Sequence, residues 1–425
     1  MSEKITAHPQ TTTKPLNIIV IVAALGYFVD IYDLILFGIV RTPSLNGLGI
    51  TDPKLVTEYG LHLLSVQMIG MLVGGLLWGV MGDKKGRVSV LFGSIILYSL
   101  ANIANAFVKE FSDISSLSIL NAYSILRFVA GVGLAGELGA GITLVNETMS
   151  KETRGYGTMI VVSFGVLGAV FASILGHFIQ WQTSYIVGGL MGLVLLFLRM
   201  KVYESGMFKN LKKSVGNRGN LWLLFNDRKR FIIYVCCIAV GVPIWYMIGI
   251  LVVFSPEIGN AQGIINIKGG DAIMYFYLST CAGDFLSAYW SQRWKSRKKV
   301  LLLFLMLTTL IVPVYLYALN GSSLPVFYLV CALLGFASGY WAVFVTTSSE
   351  QFGTNMRATV TTTVPNMVRG SVAVLSMLLA LLREQFSMDL IDATFLVGII
   401  AIAFAYLSLL GLKETYAKDL NFIES

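Results

Sequence analysis

Residues 18–40 read IIVIVAALGYFVDIYDLILFGIV, an apolar run long enough to cross a bilayer as one helix and broken only by the carboxylates of Asp30 and Asp33. A carboxylate in hydrocarbon is costly unless it faces a partner or a watery cavity. Three positions apart, the two acids share one helical face. A chain that keeps them there is expected to hold a polar path between its helices.

The rest of the chain extends the apolar pattern. Of its 425 residues, 56% are hydrophobic and 13% charged, whereas soluble domains carry about 25% charged residues. The composition is that of a polytopic membrane protein. Apolar segments predict helices at 16–40, 61–81, 88–107, 118–145, 156–179, 184–199, 229–254, 272–291, 299–319, 324–348, 358–382 and 391–412. The longest interruption splits them six and six. The predicted fold is an all-α membrane protein of twelve transmembrane helices in two pseudo-symmetric six-helix bundles. Its expected divisions are a cytoplasmic tail (1–15), a first bundle (16–200), a cytoplasmic linker (201–228), a second bundle (229–412) and a cytoplasmic tail (413–425). The polar, Thr-rich start has neither the apolar core nor the cleavage site of a signal peptide. Cys236, Cys237, Cys281 and Cys331 all fall in apolar runs without metal-ligand spacing, so they read as small core residues, with no metal site and no disulfide framework.

A net charge of +8 invites a nucleic-acid reading, but the placement of the charges argues for topology instead. With both termini cytoplasmic, the outer loops hold Arg41, Lys54, Lys109, Lys268 and Arg383, and Arg127 and Arg369 lie inside spans. That leaves 24 of the 31 basic residues on the inner side, the bias expected of a multi-pass membrane protein.

The two halves echo each other. Glu147-Thr-Met-Ser-Lys-Glu-Thr-Arg154 follows the fourth span and Glu350-Gln-Phe-Gly-Thr-Asn-Met-Arg357 follows the tenth, with the same acid-to-arginine spacing. Gly79-Val-Met-Gly-Asp83-Lys-Lys-Gly86-Arg87 joins spans two and three, and a variant running from Ser287 to Arg297 joins spans eight and nine. Such repeats are the mark of transporters built from two related halves. Together with Arg127-x-x-x-Gly131-x-Gly133-x-x-Gly136, these motifs resemble the major facilitator superfamily over essentially the whole chain. Asp30-Ile-Tyr-Asp33 is similar to the first-helix signature of its metabolite, aromatic acid and phosphate proton symporters. Gly136-Glu137 is similar to that of the metabolite:proton branch, and Arg357 to Arg369 resembles the eleventh helix of organic anion transporters. The resemblance implies that Arg369 helps bind an anionic substrate. Gln292, Lys295 and Ser296 depart from the loop pattern, which implies a weaker inner gate in the second half. The short first outer loop, about 20 residues, implies a compact, bacterial-type protein of the inner membrane.

The residues themselves carry further expectations. Asp30 and Asp33 are proton-coupling or substrate-contacting carboxylates, or members of a structural ion pair. Arg127 needs a buried partner, and Asp33 or Asp30 is the predicted one. Such a pair either switches on protonation or permanently braces spans one and four. Glu137 is a second proton site or a hydrogen-bonded brace. Arg369, near the centre of span eleven with Asn366 one turn away, presents a fork that matches a carboxylate or phosphate; the alternative is an ion pair with Asp284 or with an acid of the other half. Tyr32, Trp245, Tyr277 and Tyr340 are the aromatics favoured for substrate contact. Asp83, Arg87, Glu147, Arg154, Asp284, Arg293, Arg297, Glu350 and Arg357 are expected to form an inner-gate charge network. His62 and His177 read as interfacial hydrogen-bonding groups rather than relays. Pro365 is expected to bend span eleven beside Asn366 and Arg369.

No nucleotide-binding loop and no nucleophile with a nearby base appears, so the chain is not read as an enzyme. The expected function is symport of a small organic anion or zwitterionic metabolite with protons, by alternating access. Protons are the coupling ion, no cofactor is needed, and the working unit is a monomer in the lipid bilayer with no nucleic-acid partner. The alternative is a proton-driven exporter of drugs or a siderophore-like product.

Overall fold

A computed structural model describes residues 18–85, 87–149, 154–204, 226–353 and 356–416. The first half holds Ile18–Gly47, Pro53–Lys85, Arg87–Ala106, a divided fourth span, Arg154–Phe178 and Trp181–Glu204. The second holds Arg228–Tyr246 continued by a π-helical turn (Met247–Val252), then Gly269–Arg293, Arg297–Tyr317, a divided tenth span, Arg357–Gln385 and Leu390–Gly411. Among the described residues, eleven helices are long and apolar enough to cross a membrane. The twelfth, span eight, has the length but is more polar, with Asp284 fully buried in its course.

The helices outrun the apolar runs. Span one continues through Pro43 to Gly47 and span two starts at Pro53, so the predicted first outer loop shrinks to the link between Gly47 and Pro53. Hydropathy marks the part of a helix that lies in lipid, whereas backbone hydrogen bonding carries the helix on past it. Two short helices, Val108–Ser115 and Ser255–Ala261, fall outside the sequence reading. Span eleven is one continuous helix through Pro365.

Spans four and ten are each interrupted. The fourth is Ile119–Leu134 followed by Glu137–Thr148, and the tenth is Leu324–Ser338 followed by Trp341–Gln351. Close packing accompanies both breaks. A Cβ on Gly133 would strike the Tyr98 backbone of span three, and one on Gly339 would strike the Gly283 backbone of span eight. Small residues allow such backbone approach between helices in a membrane.

Within the halves, span one packs on five, span two on four, and span eight on ten; between them, two lies against eleven and five against eight. At the end carrying the span one–two link, the predicted outer end, Arg41 pairs with Glu257 at 2.7 Å and His177 Nε2 lies 2.7 Å from Asp271. Deeper in, Thr362 and Thr363 of span eleven crowd Gly139 and Gly79. Among the described residues, cross-half contacts therefore occur both at the predicted outer end and along spans two, four and eleven.

Candidate functional site

Span one projects its two aspartates to different places. Asp30 crosses to the second half, where its Oδ2 lies 3.5 Å from Arg369 Nη2, both side chains wholly shielded from solvent. Asp33 stays in the first half, against Gly188 of span six, with Arg127 and Asn102 as polar neighbours. A separation of three residues turns the second side chain about 60° around the helix, enough to place one acid toward span eleven and the other toward span six. The two acids lie on one broad face of the helix but meet different neighbours.

Arg127 also departs from expectation. It forms no ion pair with Asp30 or Asp33 among the described residues. Its Nη1 donates to Tyr185 Oη at 3.4 Å, and its guanidinium lies 5.1 Å from the Phe37 ring centroid and 5.5 Å from that of Tyr185. Aromatic faces partly replace the missing anion.

Arg369 is the centre of the arrangement. Its guanidinium lies 5.8 Å from the ring centroids of both Trp245 and Trp341, and Nη1 is 3.5 Å from Asn366 Oδ1. Tyr27 and Tyr277 stand within its electrostatic reach. Arg369 Nε and Nη2, Trp341 Nε1 and both Asp30 oxygens have no hydrogen-bond partner among the described residues. Buried polar groups are ordinarily paired; here Arg369 Nε and Trp341 Nε1 are donors without a partner among the described residues, while Arg369 Nη2 and Asp30 meet only as an ion pair. Trp245 and Tyr277 stand near Arg369.

Tyr32 and Tyr340 do not. Tyr32 donates to Ser184 O at 2.9 Å inside the first half, and Tyr340 donates to Val240 O at 3.1 Å beside the tenth-span break. Both hydroxyls are consumed by backbone. Asn366 touches Arg369 through its oxygen, but its amide nitrogen donates to Ala135 O and to Thr362 O, each at 2.8 Å.

Glu137 pairs with Arg199 of span six, which also donates to Val22 O. Gly26 leaves the room for this pair, since a Cβ there would collide with both side chains. Sequence reading missed Arg199 because it sits at a span end, where arginine also serves as a topology signal. Tyr27 was missed too, although it stands one turn before Asp30, and Trp341 was not among the favoured aromatics.

Of the expected inner-gate residues, the side chains of Asp83, Arg87, Glu147, Arg154 and Arg357 lie outside the described residues. Asp284 is corrected: its Oδ1 accepts from the Ala342 amide at 3.1 Å, so it caps the second helix of span ten rather than joining a gate. Arg293 is exposed at the end of span eight. Arg297 and Glu350 pair at 3.4 Å, and the segment after span twelve covers them, with Thr415 donating to Glu350 at 2.9 Å. Partial burial opposes ionisation of Glu414, but donors from Ser296 and the amides of Arg297, Tyr416 and Lys298 hold its carboxyl below the usual carboxylate range. His62 Nε2 lies 3.1 Å from Ser124 Oγ.

A family model described as the Major Facilitator Superfamily matches residues 23–376. A Bacillus subtilis protein provisionally named niacin/nicotinamide transporter NiaP is 27% identical, over 84% of this chain and 87% of its own. The niacin transporter NiaP of Acinetobacter baylyi is 24% identical, over 79% of this chain and 80% of its own. The proton:xylose symporter XylE, solved with 6-bromo-6-deoxy-D-glucose, superposes with a TM-score of 0.71 over 95% of this chain and 97% of that one, at 14% identity, a likeness of fold.

Proposed function

The chain belongs to the major facilitator superfamily, a multi-pass membrane transporter and not an enzyme, and on that premise we propose that it imports a small aromatic or heteroaromatic monocarboxylate together with protons. The observation that carries this reading is the buried Asp30–Arg369 pair between the halves, flanked by Trp245 and Trp341. The names of the NiaP relatives favour the same substrate class.

In this reading Asp30 is the internal competitor for Arg369. While ionised, it occupies the guanidinium; once protonated, it yields the fork to the substrate carboxylate, which Arg369 holds through paired charge-assisted hydrogen bonds. The substrate ring lies against the indoles, and the free Trp341 N–H meets an acceptor on it. Proton and anion then enter together because each removes the cost of the other's arrival. Asp33, beside Arg127, is the second carboxylate able to carry a proton. Glu137, held by Arg199, serves as a brace. Rocking of the halves exposes the site alternately to the two sides. The Lys and Arg distribution supports cytoplasmic termini.

The test is uptake of labelled nicotinate and benzoate into proteoliposomes, with and without an inward proton gradient. The gradient is expected to stimulate uptake of at least one acid. Uptake of neither, or stimulation only by an outward gradient, overturns import by symport.

A further inference from the structure

We propose that Asn366 is a positioning residue, a latch that ties the substrate arginine of the second half to the broken fourth span of the first half. The carboxamide has two ends and they do different work. Its nitrogen donates at 2.8 Å to the carbonyl of Ala135, a residue of the interruption between Leu134 and Glu137. A helix break leaves carbonyls without their usual partners. Another carbonyl near this break, Val132 O, takes the Trp78 indole of its own half at 2.6 Å. Ala135 O is satisfied from across the interface.

The second donor of the same nitrogen goes to Thr362 O, one turn back on span eleven, also at 2.8 Å. This fixes the carboxamide orientation and leaves Oδ1 to face Arg369 Nη1. Thr362 itself presses on Gly139, one turn beyond Ala135, where no Cβ would fit. Span eleven therefore grips the inner part of span four at two successive turns. Asn366 is wholly enclosed there, with Gly75 of span two tight against its Cβ. Because one amide group touches both Arg369 and Ala135, a change in what Arg369 holds alters the bond that keeps the halves together. Span ten has no such dependence, since its break is served by Asp284 of its own half.

The latch has a natural reporter. Cys281 of span eight, half-buried, donates to Ser163 O of span five at 3.1 Å on a different cross-half seam. Its alkylation by N-ethylmaleimide, followed by mass spectrometry on the purified full chain without substrate, measures separation of the halves. Asn366→Ala and Asn366→Ser each remove the bond to Ala135, and the serine keeps a helix-compatible polar side chain if alanine fails to fold. The loss of one buried hydrogen bond predicts alkylation about three- to tenfold faster. Unchanged alkylation overturns the latch.

The substrate arm rests on the transport reading. Nicotinate affinity, read by tryptophan fluorescence, is expected to be no weaker in Asn366→Ser than in the parent, while counterflow slows. A tenfold weaker affinity with unchanged alkylation makes Asn366 a substrate ligand and overturns the latch. If nicotinate does not bind the parent, that choice of substrate fails, and the alkylation result decides the latch by itself.

Discussion

Spans four and ten break at equivalent points and are mended differently. Gly136 and Gly339 each stand eleven residues before the glutamate of the repeated signature, Glu147 and Glu350. In the second half the repair is internal, because Asp284 reaches from span eight to the amide that opens the second helix. In the first half the Ala135 carbonyl is completed by Asn366 of the partner bundle. The charges are divided in the same way. The first half supplies the carboxylates, Asp30, Asp33 and Glu137, and the second supplies the anion-seeking arginine with its two indoles. The second half mends its break from within, whereas the first is completed by docking against it. In a rocking transporter this gives the first half a structural reason to respond to the occupancy of the second.

The largest effect is expected where the division of labour meets, at Asp30 and Arg369. On the proposed reading, Arg369→Ala removes the anchor for the substrate carboxylate, and it leaves Asp30 buried without its ion-pair partner. Charge-assisted hydrogen bonds contribute about 1.5–3 kcal/mol each, so nicotinate affinity should fall by at least tenfold. Breaking a buried pair from one side costs about 3–5 kcal/mol, and chemical denaturation in detergent should register part of it. Asp30→Asn sharpens the comparison because the amide imitates the protonated acid. Binding should survive and lose its dependence on pH, exchange of internal for external substrate should continue, and accumulation driven by the proton gradient should vanish. Normal gradient-driven accumulation in Asp30→Asn would remove Asp30 from coupling and shift that role to Asp33.

A smaller effect is expected at the second-half repair. Asp284→Ala leaves the Ala342 amide unpaired in a buried place, at a cost of about 1–3 kcal/mol, whereas Asp284→Asn keeps an acceptor oxygen and should lose less. The loss should appear in denaturation midpoints of the purified protein, with nicotinate affinity little changed. If Asp284→Ala instead abolished binding at full stability, the residue would belong to the site and the internal-repair picture of the second half would fail.

Much of this was legible from residue types at particular positions. Apolar run lengths gave the spans, and the seven-residue Glu-to-Arg spacing gave the repeat. The isolation of Arg369 on its own helix pointed to an anion or an acid from elsewhere, and Asp30 is such an acid. What failed was azimuth. Whether Asp30 or Asp33 faces the other half depends on how span one is rotated, which its nearly uniform hydrophobicity leaves undetermined. The aromatics failed for a related reason: Tyr32 and Trp245 are both buried aromatics, but one hydroxyl finds the Ser184 carbonyl while the other residue's indole lies near Arg369. The break in span four was visible only as a cluster of glycines, which static packing also explains.

The smallest effect is expected at the predicted outer end, where the cross-half pairs differ in kind from the central one. Arg41 and Glu257 retain 3% and 19% side-chain exposure, against 0% for Asp30 and Arg369. Arg41 is buried but Glu257 is partly open, so this pair is better screened than the central one and its loss should cost less than breaking that fully buried pair. Thr57 also donates to Glu257 at 3.3 Å, and the His177–Asp271 contact spans the same seam. Glu257→Gln keeps an acceptor for Arg41 and leaves that second contact in place, so initial uptake of nicotinate should change by less than about threefold. Combining it with Asp271→Asn removes both carboxylates and should change uptake by more than the product of the single effects, because each contact alone can hold the end shut. Loss of uptake in Glu257→Gln as complete as in Arg369→Ala would mean that closure is governed at the rim, and the assignment of the central pair as the point where the halves communicate would have to be given up.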